Sequence, residues 1–157
     1  MSKKHQYQAT IEWTGNLGTG TDHYRNYERS HVIKIRDKEP IQGSSDPAFR
    51  GDLTKYNPEE LLVSSLSACH MLWYLHLCSE TGVHVISYVD YAEGTMEETS
   101  NGGGRFSEVI LAPQVTVASP EMLEKAKLLH TKANEFCFIA NSVNFPVKHS
   151  PAIKVIA

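Results

Sequence analysis

The sequence lacks the excess of positive charge that binding to nucleic acid requires. Its 15 Lys and Arg residues stand against 18 Asp and Glu residues, which gives a formal net charge of −3. The basic residues form no stripe suited to a phosphate backbone. We therefore expect no nucleic-acid partner.

Cysteine is scarce, and no secretion signal is visible. The chain has only Cys69, Cys78 and Cys137 among 157 residues, and its first residues pass straight into a strand pattern without an apolar segment. Outside the secretory pathway, three cysteines are not a disulfide framework. We expect a cytoplasmic protein whose cysteines are core thiols, ligands or catalytic groups.

Close pairs of metal ligands are also missing. None of the eight histidines forms a His-x-x-x-His pair, and the cysteines form no Cys-x-x-Cys pair, although zinc sites usually show such spacings. Cys69 and His76 share one helical face at positions i and i+7. The spacing favours a protein without a metal cofactor, and a metal-binding protein is the less favoured alternative.

Formal charge is absent from Leu61 through Ser79, and we expect this stretch to organise the fold. Asn57, Pro58 and Glu60 are typical of a helix start. We predict a helix from Pro58 to about Thr81 that is buried on most of its circumference, because a surface helix would show a polar face. A membrane span is possible on length, but the serines and histidines inside the segment favour a core helix and no membrane.

The remaining pattern predicts hairpins and a second helix. This helix begins at Ser119-Pro120-Glu121, where a cap, a first-turn proline and an acid follow one another, and Cys137 lies just past its end. Because hairpins join consecutive strands, the predicted class is α+β with largely antiparallel sheets, in one domain over residues 1–157. The predicted strands are residues 6–13, about 27–35, a short one from 41, 83–92, 106–118 and about 147–156.

Cys69 is either an inert core residue or a reactive thiol. As about the twelfth residue of the helix, it lies too far from the N-terminus for the helix dipole to stabilise a thiolate. The neighbouring His70 points about 100° away around the helix. A reactive Cys69 therefore needs a cation from elsewhere, and arginine is suited because it stays charged when desolvated.

The run Asn57-Pro58-Glu59-Glu60-Leu61, followed by Ser67-Ala68-Cys69 and later by Cys137, resembles the OsmC/Ohr family of organic hydroperoxide reductases. The resemblance covers essentially the whole chain. It implies an OsmC-like fold built as an intertwined homodimer, and a thiol peroxidase without metal or flavin. It also implies that dithiols of the lipoyl type are the reductant.

The resemblance assigns roles to individual residues. Cys69 matches the peroxidatic cysteine, which becomes a sulfenic acid, and Cys137 matches the resolving cysteine, which forms a disulfide with it. Glu59 matches the acid that holds an essential arginine. Phe138 stands where the family commonly has proline after the resolving cysteine. Cys78 matches no motif position and lies on another helical face, so we expect it in the core.

The arginine itself has three candidates. Arg50 precedes the helix, like the arginine of the OsmC branch, and is the one we predict. In the Ohr branch the arginine lies in the first hairpin turn, where the nearest residues are Arg25 and Arg29.

Helix geometry leads to a prediction about assembly. Glu59 and Cys69 are ten residues apart, which is about 15 Å along a straight helix. Either the helix breaks, or Glu59 and its arginine serve the cysteine of another subunit. We predict a homodimeric, thiol-dependent peroxidase for organic hydroperoxides, with a hydrophobic-ligand or metal-binding protein of the same fold as the alternative.

Overall fold

The structure, a computed structural model, describes residues 2–157. The chain divides into two compact units, residues up to 61 and residues 62–157. A single domain over the whole chain stays a prediction.

The first unit is a three-stranded antiparallel sheet. Its strands are β1 (Thr10–Trp13), β2 (His31–Lys34) and β3 (Ile41–Gly43), in the order β1-β2-β3. The predicted first hairpin and short third strand are confirmed, with β1 and β2 shorter than expected. The apolar side chains on β1 are open to solvent: Ile11 is 62% and Trp13 43% exposed. A sheet with such side chains exposed lacks the cover that apolar surface normally receives.

Helix α1 (Pro58–Thr81) begins and ends where the sequence predicted. Its start is a reciprocal capping box, in which the Glu60 N–H donates to Asn57 Oδ1 at 2.8 Å and the Asn57 N–H donates to Glu60 Oε2 at 3.1 Å. Its end is marked by Gly82, whose φ of 77° is the left-handed conformation that terminates helices. The helix is continuous, so the alternative of a break between Glu59 and Cys69 is excluded.

The predicted burial around most of α1 is wrong for one chain. Only the stripe Leu66, His70, Tyr74 and Cys78, with one residue every turn, is buried. The predicted circumference was too wide because a single chain covers one face of this helix. By length and composition α1 would also pass as a membrane span, with a mean hydropathy of 1.4 over its most apolar window, as core helices of globular proteins do.

The second unit has two three-stranded sheets and the second helix. The strands are β4 (Val85–Asp90), β5 (Glu93–Glu98), β6 (Gly104–Leu111), β7 (Pro113–Val117), β8 (Val147–His149) and β9 (Ala152–Val155). One sheet has the order β4-β7-β9 and the other β5-β6-β8. Neighbouring strands are antiparallel in the pairs β4/β7 and β5/β6 and parallel in β6/β8 and β7/β9.

The α+β class is confirmed, but the predicted strands 106–118 and 147–156 are each two strands, and β5 lies beyond the predicted strand 83–92. The predicted hairpin of residues 83–92 and 106–118 is interrupted at Ala112, between β6 and β7. There the Ala112 N–H donates to Asp90 Oδ1 at 2.7 Å, and the following Pro113 has no N–H to donate. The paired strands on either side of this point therefore join different sheets. The last predicted strand divides in the same way, at Pro151.

Helix α2 (Leu123–Phe136) follows a 3-10 turn at Pro120–Met122, so the predicted second helix is confirmed. Its buried face includes Ala126, His130 and Ala133. Cys137 is the C-cap residue of α2, and its N–H donates to the Asn134 carbonyl. The buried face of α2 packs in a core with α1 and the β4-β7-β9 sheet.

Candidate functional site

The thiols of Cys69 and Cys137 are neighbours, because the Cys69 thiol is one of the groups that raise the pKa of Cys137. Cys69 is half-buried on α1 and Cys137 is 1% exposed, and both are free thiols. One cysteine can therefore be reached from solvent and the other is buried. Two cysteines this close can form a disulfide after one of them is oxidised.

The surroundings of Cys137 keep its thiol protonated. Burial raises its pKa to about 11, and the adjacent Cys69 thiol adds to the rise. The Ala140 N–H points at Cys137 Sγ from 3.4 Å and partly opposes it. At neutral pH Cys137 is thus a neutral thiol, which suits a partner that reacts second.

Cys69 opens into an apolar groove of about 400 Å³. On α1 it is followed along the same face by Leu72, Trp73 and His76, at helical positions i+3, i+4 and i+7. Phe138 closes the opposite side and lies edge-on to Trp73, with the ring centroids 5.6 Å apart. Within residues 2–157, no lysine or arginine lines this groove.

Glu59 lies in the first unit, in a cavity of about 320 Å³ that also contains Arg29. The Arg29 guanidinium lies over the rings of Tyr24 and Tyr27, 4.3 and 4.1 Å from their centroids. It donates to the carbonyls of Tyr24 at 2.8 Å and Tyr27 at 2.6 Å. Arg29 is thus a fixed, half-buried cation beside the cavity that Glu59 lines.

Arg50, the predicted arginine, has a different setting. It is exposed, ends the 3-10 turn Pro47–Phe49 and has a left-handed backbone with φ 65°. The cavity that contains Glu59 and Arg29 does not include it. Among the ion pairs of residues 2–157, none joins Glu59 to an arginine.

A buried cluster of three histidines was not predicted from the sequence. His70 on α1 and His130 on α2 are both fully buried, and His70 Nε2 lies 3.0 Å from His130 Nδ1 in a hydrogen bond. His149 on β8 lies beside both, with its ring centroid 5.7 Å from that of His70 and 6.2 Å from that of His130. Tyr74 stacks on His130 at 3.8 Å. The only sequence signal was that His70 lies within the uncharged stretch of α1.

The histidine cluster is neutral at physiological pH. Burial, with the neighbouring rings, lowers the pKa of His70 to about 4 and that of His130 to about 3. Burial also lowers the pKa of His149. One nitrogen of each ring, His70 Nδ1, His130 Nε2 and His149 Nδ1, is buried without a hydrogen-bond partner. Such atoms are costly, and the packing around the cluster has to offset this cost.

Cys78 lies in the core, 1% exposed, beside Tyr74. Burial raises the pKa of its thiol to about 11. It is therefore protonated and inaccessible. No group of three His, Cys, Asp or Glu side chains in the part of the chain that the structure describes is arranged to hold a metal ion.

Several known proteins share this architecture. An OsmC-like protein of unknown function from Vibrio cholerae has a TM-score of 0.84 and 30% identity, over 95% of this chain and all of that one. Organic hydroperoxide resistance proteins from Elizabethkingia anophelis (TM-score 0.71, 18% identity) and Legionella pneumophila (0.66, 15%) each align over 99% of this chain and all of their own. At these identities the last two show the fold alone.

No curated protein matches the chain. The family model described as OsmC-like protein matches residues 50–151, which contain both cysteines of the thiol pair and the whole of α1 and α2. This range covers well over half of the sequence. The chain therefore belongs to the OsmC-like protein family.

Proposed function

We propose that this protein is a cysteine-based peroxidase that reduces organic hydroperoxides to alcohols. One observation carries the proposal: a reachable Cys69 thiol opens into an apolar groove, and the buried, protonated Cys137 thiol is its neighbour. A single cysteine would stop at a sulfenic acid, whereas a neighbouring pair can complete a cycle. Consumption of an alkyl hydroperoxide in the presence of a small dithiol is the direct assay.

The reaction takes three steps. The Cys69 thiolate attacks the distal oxygen of ROOH, the O–O bond breaks, and the alkoxide leaves as ROH after taking a proton. Cys69 is then a sulfenic acid. The Cys137 sulfur attacks it, and its proton leaves with the hydroxyl group as water, which gives the Cys69–Cys137 disulfide. An external dithiol, of the lipoyl type by resemblance, reduces the disulfide and becomes oxidised itself.

The groove favours organic substrates over hydrogen peroxide. Leu72, Trp73 and Phe138 present apolar surface beside Cys69, and each buried CH₂ of a substrate contributes about 0.8 kcal/mol to binding. Hydrogen peroxide has no such group to bury. Phe138, where the family commonly has proline, adds an aromatic wall. A cytoplasmic location suits the cycle, because thiols are kept reduced there.

Paired variants of Arg29 and Arg50 identify the arginine that stabilises the Cys69 thiolate. We expect Arg29→Met to lower kcat/KM for an alkyl hydroperoxide roughly a hundredfold, since a preorganised charged donor contributes about that much. Arg29 supports this role because it is held between two tyrosines beside the cavity of Glu59. Arg50→Met is the matched test of the sequence prediction. If Arg50→Met is inactive and Arg29→Met is as fast as the parent, the OsmC-branch assignment is right and Arg29 is a structural residue.

We expect a homodimer in which each site draws on both chains. The uninterrupted helix places Glu59 about 15 Å along the axis from Cys69, and no cation lines the Cys69 groove within residues 2–157. The exposed apolar face of α1 and the exposed β1 side chains also need cover. Sedimentation equilibrium at micromolar concentration should give twice the mass of one chain. A monomer that still reduces hydroperoxide would contradict the shared site.

A protein that binds a hydrophobic ligand without turnover is the second candidate. The same apolar groove favours it, since about 400 Å³ is enough space for a small organic molecule. The two candidates differ in the fate of the cysteines. Ligand binding leaves all thiols free, whereas turnover consumes hydroperoxide and passes through a disulfide.

A further inference from the structure

A side-chain hydrogen bond joins helices α1 and α2 near the thiol pair. Cys69 and Cys137 are neighbours, and the next residue of α1, His70, is hydrogen-bonded to His130. His130 is buried on α2, and the buried Cys137, seven residues later, caps the end of that helix. The His70–His130 hydrogen bond therefore joins the two helices close to the cysteines and influences the position of Cys137 relative to Cys69.

The other contacts between these helices are less directional. Trp73 stacks on Phe136 with the ring centroids 5.2 Å apart, and apolar contacts of this kind tolerate sliding. A hydrogen bond between two fully buried rings does not, because separating them leaves two more polar atoms without a partner. Each such atom loses its hydrogen bonds to water without gaining a partner in the protein. Satisfied polar contacts in a core select one arrangement over its neighbours.

We infer that the His70–His130 hydrogen bond is a positioning contact that holds α1 and α2 in the register that keeps the Cys69 and Cys137 thiols together. The inference deepens the proposed function and rests on it only for the peroxide step. Neither ring touches the substrate groove. The pair acts through the two cysteines, by setting their effective concentration and hence the rate at which oxidised Cys69 is resolved.

Thiol–disulfide equilibrium with glutathione measures this effective concentration without any peroxide. Reduced protein and oxidised glutathione give the protein disulfide and two reduced glutathiones. The reachable Cys69 first forms a mixed disulfide and releases one glutathione, and Cys137 then attacks the Cys69 sulfur and releases the second. Resolution of the mixed disulfide uses the same approach of Cys137 to Cys69 as resolution of the sulfenic acid. Both the equilibrium and this rate are read by acid quenching and mass spectrometry.

Matched amide variants test the bond itself. His70 makes the hydrogen bond through Nε2. The amide group of Gln in His70→Gln can reach the position of that nitrogen, whereas the amide group of Asn in His70→Asn is too short to reach it. We expect the effective concentration to fall at least tenfold in His70→Asn and to stay within threefold of the parent in His70→Gln. His130 uses Nδ1, so His130→Asn should behave like the parent and His130→Leu like His70→Asn. The second pair decides the question if one variant of the first does not fold.

His149→Leu is the control for general damage to the cluster. His149 lies beside both rings but is not part of their hydrogen bond, so its loss should change stability and leave the effective concentration within threefold. A parent-like value in His70→Asn, or an equal fall in His149→Leu, would overturn the inference. A parent that equilibrates with glutathione but never consumes alkyl hydroperoxide would instead overturn the proposed function and leave the positioning role standing.

Discussion

Cys69→Ser is expected to abolish reduction of an alkyl hydroperoxide, with a loss of roughly a thousandfold or more in kcat/KM. A serine hydroxyl is hardly ionised at neutral pH and is not oxidised by a hydroperoxide, so the covalent step disappears. Removing a covalent nucleophile usually costs several powers of ten. The measurement is the initial rate of hydroperoxide loss with excess dithiol.

Cys137→Ser and Cys78→Ala are the matched controls. Cys137→Ser should still consume one equivalent of hydroperoxide, because Cys69 keeps its groove, but it should stop at the sulfenic acid unless an external thiol reduces it. Cys78→Ala should cost stability and leave the rate unchanged, since Cys78 is buried away from the groove. A fully active Cys69→Ser, or an inactive but folded Cys78→Ala, would contradict the assignment of the nucleophile.

Stability is expected to fall steeply between pH 7 and pH 5 because of the buried histidines. His70 and His130 have folded-state pKa values of about 4 and about 3, against an ordinary value of 6.5. Above pH 6.5 both rings are neutral in both states, and the neutral cluster contributes its full stability. As pH falls below 6.5 the unfolded chain binds protons that the folded chain does not. At pH 5 this costs about 2 kcal/mol per ring, or about 4 kcal/mol for the pair.

The double variant His70→Gln/His130→Asn isolates this effect, because its amides do not titrate. Its free energy of unfolding should fall by about 4 kcal/mol less than that of the parent over the same interval. His149, whose pKa burial also lowers, is present in both proteins, and Tyr74 and Tyr88 have pKa values raised by burial and stay neutral. Denaturant titrations at pH 7, 6 and 5, at one protein concentration, give the comparison. Equal pH dependence in parent and variant would show that the histidines are not buried as neutral rings.

Local sequence was enough for the helices and not for the strand partners. Asn57 and Glu60 cap the start of α1 through hydrogen bonds to each other, and Gly82 ends the helix. Both bounds could therefore be predicted from residues close together in the sequence. The division of one predicted hairpin between two sheets depends on a hydrogen bond from Ala112 to Asp90, 22 residues earlier in the chain. No local pattern shows such a contact.

The site was predictable to the extent that motif spacing defines it. Cys69 and Cys137 were recognised through family resemblance, and the structure brings their thiols together. No local sequence pattern distinguishes Arg25, Arg29 and Arg50 from one another. Only the contacts of Arg29 with the rings of Tyr24 and Tyr27 set it apart. His70 and His130 are 60 residues apart and pair only because α1 packs against α2.

The most direct test of the account is a thiol count with peptide mapping after one equivalent of an alkyl hydroperoxide. We predict a mass lower by two hydrogens, the loss of two of the three thiols, and a single disulfide between Cys69 and Cys137 with Cys78 free. The contrary result is a chain that keeps all three thiols, or one whose disulfide includes Cys78.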